Sequence, residues 1–235
     1  MKKTFVILFL ILAGVAHSRA SEVKTYSLNV RDFTELQVVD YLNVVHKCNS
    51  DSAGLAVFTC ADNIVPAILF TNKNNKLKIE WNMDSDIPVS CAPLITVYSN
   101  YIQSVENCGE GLIEVISPAP GALFKARVIG NGSIVATDIH ATQTEGNLDT
   151  GKGEITLQGL TRVAKLKNIG KGNINAENLS SEQCTVTILG TGPVECNVSG
   201  ELNVKGMGSG KVYVRGNPVI KKRTIGSIEV ITKSE

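Results

Sequence analysis

The residues of this chain that could do chemistry are cysteines, paired acids and glycine-rich steps. Six cysteines, Cys48, Cys60, Cys91, Cys108, Cys184 and Cys196, form an even set that suits disulfide pairing in an exported chain. Cys184 and Cys196 are the leading pair. Cys48 with Cys60, and Cys91 with Cys108, come next as sequence neighbours; the competing reading is buried thiols. His46 and Cys48 with Cys60 could begin a metal site, yet zinc sites show tighter CxxC or HxxxH spacing. No metal and no cofactor is therefore expected. Glycine steps such as Gly170-Lys-Gly172 could cradle a phosphate, but a dinucleotide fold needs a helix behind them. Gly206-Met-Gly-Ser-Gly-Lys211 lacks P-loop spacing, and Val212 stands where Ser or Thr must hold magnesium.

The glycines recur, and the residues after each one alternate. Gly111, Gly132, Gly153, Gly172, Gly192 and Gly210 fall roughly every twenty residues, and Gly226 keeps one glycine at a last level. Two positions on stand Ile113, Ile134, Ile155, Ile174, Val194, Val212 and Ile228, all β-branched. Four positions on stand Val115, Ala136, Leu157, Ala176, Cys196, Val214 and Val230, all apolar, with mostly polar residues between. That is a strand with one buried face. Stacked about 4.8 Å apart, such strands make a parallel β-helix whose narrow lumen is filled by aliphatic ladders. The glycines then mark corners where a side chain would clash or φ must be positive.

Stacking also places the candidate chemistry. Cys196 belongs to the lumen, and Cys184 alternates with Val186 and Ile188 on the preceding strand, so both thiols could meet from opposite walls. Glu195 and Glu229 would share an outward column, about 9.6 Å apart. Inverting glycoside hydrolysis needs about 6.5–9.5 Å between carboxyls, so this is the one candidate catalytic pair. Solvated surface acids are the simpler reading.

Residues 1–20 read as a secretory signal peptide: Lys2 and Lys3, an apolar run from Phe5 to Ala16, and Ser18-Arg19-Ala20 at the expected cleavage site. The run is short for a membrane span, and no transmembrane segment is expected after cleavage. Without the leader the chain is slightly acidic, which speaks against a nucleic-acid partner. Residues 21–110 form a strand-rich part without a clean twenty-residue register. Its strands are expected at Leu36–Val39, Leu42–Cys48, Leu55–Cys60, Leu77–Trp81 and Leu94–Tyr98. Residues 111–235 hold the regular coils. Trp81, Tyr98 and Tyr101 are candidate ligand-surface aromatics, with core or end cap the commoner outcome.

Two further runs carry a family likeness. Gly206-Met-Gly-Ser-Gly-Lys-Val-Tyr-Val-Arg-Gly-Asn-Pro218 precedes Ile225-Gly-Ser-Ile228, and the chain opens with Asp32-Phe-Thr-Glu-Leu-Gln-Val38 and, downstream, Leu77-Lys-Ile79. Together they resemble the “putative auto-transporter adhesin, head-GIN-domain” family of Gram-negative envelope proteins, over nearly the whole chain after the leader. The resemblance implies an all-β, right-handed parallel β-helix and an exported protein, and it supplies no catalytic residues. The six cysteines and the glycine lost at the last level depart from the family pattern.

The expected function is non-enzymatic. The chain reads as an exported envelope protein, periplasmic, surface-bound or secreted, that binds a surface glycan or another protein through a rigid β-helix face. A carbohydrate-active enzyme, hydrolase or lyase, is the first alternative, and a ligand-free envelope scaffold the second. An open terminal strand could pair two copies into a homodimer. The basic run Lys221-Lys-Arg223 is most simply a solvated turn.

Overall fold

The computed structural model describes residues 23–233. The expected signal peptide lies outside the described residues. Strands take 68% of the described residues and helix 3%; the helical part is two single 3-10 turns, Val65–Ala67 and Val89–Cys91. The first nine strands are β1 (Val23–Asn29), β2 (Glu35–Asp40), β3 (Val44–Cys48), β4 (Leu55–Ala61), β5 (Ile68–Lys73), β6 (Lys76–Trp81), β7 (Ile95–Ser99), β8 (Ser104–Gly109) and β9 (Leu112–Ile116). The remainder are β10 (Gly121–Ile129), β11 (Ser133–Thr150), β12 (Glu154–Asn168), β13 (Asn173–Ile188), β14 (Val194–Gly208), β15 (Lys211–Arg215), β16 (Val219–Gly226) and β17 (Glu229–Thr232). All join one sheet. It winds into a β-solenoid of about 6 turns with ~20 residues per turn.

Alternation decides which side chains enter the lumen. On the first wall Ile113, Ile134, Ile155, Ile174, Val194, Val212 and Val230 stack in register. On the second wall the facing column reads Phe124, Thr144, Ala164, Cys184, Leu202 and Ile220. Fully burying one such aliphatic residue contributes about 1.5–3 kcal/mol, so the ladders are the main source of cohesion. The last level departs from expectation. Val230, not Ile228, continues the Val212 column. Ile228 instead sits buried at the corner, in the place Gly210 holds one coil earlier.

The corners explain the glycines. A Cβ built on Gly172 would lie 1.8 Å from the Gly153 carbonyl oxygen, and one on Gly192 would lie 1.9 Å from that of Gly172. Backbone stacks directly on backbone there, and nothing in the contact is free to move aside. Each described step leads into a strand and not into the helix that a dinucleotide fold would place there.

The same coils continue through residues 35–116, but their order in space is not their order in the chain. Leu36 of β2 pairs with Leu77 of β6 on one side and Val105 of β8 on the other. Val44 of β3 likewise pairs with Ile95 of β7 and Ile113 of β9. The first coil of the chain is therefore second in the stack. Beyond β7 and β6 the pairing turns antiparallel, through β4, β1 and β5. Tyr26, Phe58 and Phe70 pile up there, with ring centroids 5.6 and 6.0 Å apart. This layer covers the first end of the lumen.

Candidate binding groove

Between its two main walls each coil makes a third, shorter wall. In β11 the chain bends at Asp138, whose φ is 59°. Ile139 then points inward and His140 outward. One coil on, Gly159 aligns with Ile139 at φ 133°, and a Cβ there would meet the Ile139 oxygen at 2.2 Å. The outward residues form columns. His140, Leu160, Ser180 and Asn197 align outward, and Ala141 with the buried Thr161 and Ser181 aligns beside them. Thr142, Arg162 and Glu182 come next, all exposed.

These columns line a groove of about 580 Å³ that crosses successive coils from Pro120 to Ser199. Hydrogen bonds from coil to coil brace its floor. The Ser181 hydroxyl donates to the Asn197 carbonyl at 2.8 Å, and the Ser199 hydroxyl to the Ser181 carbonyl at 3.3 Å. His140 Nε2 lies 3.0 Å from Asp138 Oδ1. The Asp138 carboxyl is held below its ordinary range, first by a hydrogen bond from Ser117 and then by His140. Arg162 and Glu182 occupy adjacent coils, yet neither makes an ion pair among the described residues. Leu160 is 55% exposed in their midst. The arrangement offers donors and acceptors to a polar chain lying across the coils. Glu182 is its one lining carboxylate, so the lining does not hold the two carboxyl groups that glycoside hydrolysis ordinarily uses.

The sequence did not single out these residues. Their signal is a polar column a short way past each corner glycine, and small differences in coil length blur it. Of the aromatic candidates, Tyr101 alone borders the groove. Its hydroxyl lies 3.3 Å from the Leu123 carbonyl, and a Cβ on the groove-lining Gly121 would come within 2.3 Å of it. Tyr98 sits half-buried on β7, at the far end of the stack. Trp81 presents no face to solvent: it is 3% exposed and its indole N–H donates to the Ile87 carbonyl at 3.2 Å.

The expected acid pair does not form. Glu195 aligns with Tyr213, and Tyr213 with Ile231, so Glu229 falls in another column, beside Lys211. The shift arises from the displaced last level. Glu195 is instead bonded to Lys233 at 2.6 Å, and the same ammonium takes Glu177 at 2.9 Å and lies over the Tyr213 ring.

All six cysteines are free thiols in this structure. Cys184 and Cys196 stand on opposite walls of one coil, both inside the lumen. The others have separate surroundings. Cys48 Sγ accepts the Ala119 N–H at 3.3 Å, and the Cys108 thiol donates to Glu106 at 3.4 Å. Burial, then Asp62, push up the thiol of Cys60, which lies on β4; Cys91 is exposed on the second 3-10 turn. His46 does not turn toward Cys60. It enters the ladder between Val97 and Val115, with Nε2 2.8 Å from the Ser99 hydroxyl and the Phe33 ring edge-on. Among the described residues no three His, Cys, Asp or Glu gather as metal ligands would. None of the described helices is long and apolar enough to cross a membrane.

Comparison with known proteins supports the fold. The model of the family described as “putative auto-transporter adhesin, head GIN domain” matches residues 32–218. Among solved structures, the chain is similar to one described as a putative adhesin from Bacteroides fragilis, at 19% identity and TM-score 0.76. That match covers 90% of this chain and 98% of the other. A putative adhesin from Parabacteroides distasonis matches at 18% identity and TM-score 0.69, covering 91% and 98%. A protein from the same organism described as a putative lipid binding protein matches at 18% identity and TM-score 0.72, covering 92% and 98%. No curated protein matches the chain.

Proposed function

The chain belongs to the “putative auto-transporter adhesin, head GIN domain” family, and on that premise we propose that it is an exported envelope protein that binds an extended glycan, without turnover, in the groove of its third wall. The carrying observation is the groove itself. Hydroxyl groups recur there on successive coils, at Thr142, Thr161, Ser180, Ser181 and Ser199, beside the Arg162 guanidinium, the Asn197 amide and the exposed Leu160. A polymer laid across the coils meets a further coil at each step of about 4.8 Å. A rigid, preformed row loses little entropy on binding, which is where a β-helix has an advantage over a loop.

Two competing readings have less support. An acyl chain calls for a largely apolar, enclosed pocket. Here the lumen is filled by side chains and the groove is open and hydroxylated. Hydrolysis of a glycan calls for two carboxyl groups flanking the bond, and the groove lining has one, Glu182.

Binding to bacterial and host surface polysaccharides, measured by glycan array and then calorimetry, tests the reading. Arg162→Ala and Leu160→Asp are each expected to weaken binding about tenfold, or about 1.4 kcal/mol, with unfolding temperature unchanged. A blank array, or groove variants that bind as well as the parent, would sink it. Shortened glycan chains after incubation would favour an enzyme. Fractionation with protease shaving of intact cells tests export and surface display.

A further inference from the structure

We propose that Cys184 and Cys196 close a disulfide across the lumen when the chain folds in an oxidising compartment. Cys184 belongs to the second wall, between Ala164 and Leu202. Cys196 belongs to the first wall of the same coil, between Ala176 and Val214. Residues 185–195 join them and turn at Gly190 to Gly192, so the coil folds one wall back toward the other, and the two side chains interact. They are 1% and 2% exposed. The equivalent positions one coil earlier hold two alanines and one coil later a leucine and a valine, so the pair sits in an apolar setting that suits a compact bridge. Interaction with the Cys196 side chain, ahead of burial, pushes the Cys184 thiol well up. In the closed coil the pair is thus a poor nucleophile, sealed from reagents.

That sealing sets the order of events. While the coil is still open, one thiolate attacks a disulfide of the oxidant, a thiol–disulfide oxidoreductase or a small-molecule disulfide. A mixed disulfide forms and one oxidant thiolate leaves. The second cysteine, as thiolate, then displaces the other oxidant sulfur. The pair gives up two protons and two electrons, and the oxidant disulfide becomes two thiols. Closing of the coil then buries the new bond. The bridge does not depend on what the groove binds.

The test uses the full chain, unfolded and reduced, then refolded with either a mixture of reduced and oxidised glutathione or reductant alone. No Lys or Arg lies between Lys171 and Lys205, so trypsin leaves both cysteines in one peptide. After oxidative refolding that peptide is expected to be lighter by two hydrogens and to refuse alkylation even when unfolded. The oxidised protein should melt about 5–10 °C above the reduced one. A variant carrying both Cys184→Ala and Cys196→Ala should lose that redox-dependent difference. Full alkylation of both residues after oxidative refolding, or a bridge from either to another cysteine, would overturn the proposal.

Discussion

His46 shows how much a single position can carry. It stands between Val97 and Val115 in an apolar ladder, its Nε2 engaged by Ser99 and its Nδ1 buried without a partner among the described residues. Burial lowers its pKa from 6.5 to about 4, against an upward pull from Asp32. Proton counting gives the sign. Below about 6.5 the unfolded chain takes up a proton that the folded chain refuses, so acid favours unfolding. Stability should fall by about 1.4 kcal/mol per pH unit across that window, roughly 3 kcal/mol in all, and level off near pH 4 as the folded form titrates too. Denaturant titrations from pH 8 to 4 would show it. His46→Val should flatten the profile over that window, whatever the substitution costs at pH 8. An unchanged slope would mean the imidazole is solvated. From sequence His46 reads toward Cys48, two residues away, because its actual partner comes from another coil.

At the scale of the element, the corner is the critical unit. Each wall strand must stop, turn and restart within a few residues, and the turn must nest on the one before it. Gly172 does this by bringing its backbone against Gly153. Asn168 adds a lumen-side tie, donating to the Gly172 carbonyl at 2.9 Å and to that of Pro193 at 3.3 Å. Gly172→Ala should therefore cost about 2–3 kcal/mol or more, as overpacking against immovable atoms does. Lys171→Ala, exposed at the same corner, should stay within about 0.5 kcal/mol of the parent. Chemical denaturation of both variants checks the contrast, and equal effects would remove the steric account. This feature is legible in the sequence, because glycine spacing and two-residue alternation are local properties. The role of Ile228 is not. It fills a glycine position at the last coil, where no later backbone among the described residues stacks on it.

At the scale of the whole molecule the two ends differ. The first is covered by the antiparallel strands β1, β4 and β5. At the other, no described strand pairs with the outer edges of β16 and β17. Val219 and Ile225 are 66% and 67% exposed there, an invitation to edge-to-edge growth. The basic run opposes it. Lys222 aligns with Val204, a lumen-facing position, and Lys221 and Arg223 flank it on the same edge. Two copies meeting at this edge would bring like charges together. Lys222→Ile should raise self-association measurably in sedimentation or light scattering, more so at high salt. If the parent chain already dimerises and the variant does not differ, the charged edge is not a guard.

The alternation within each coil, and the corner glycines from Gly111 to Gly210 that recur roughly every twenty residues, were set by the sequence alone, since both are regular along the chain; only the last level departs from them. The coil order was not, because β2 and β3 are enclosed by segments that come later in the chain, and such pairing leaves no periodic trace. Nor was the groove. Its residues share a surface only after each coil bends at the third wall, and drift in coil length hides their alignment in a linear reading. Tertiary structure likewise separated Glu195 from Glu229, since a two-residue shift at the last coil changes which side chains are neighbours.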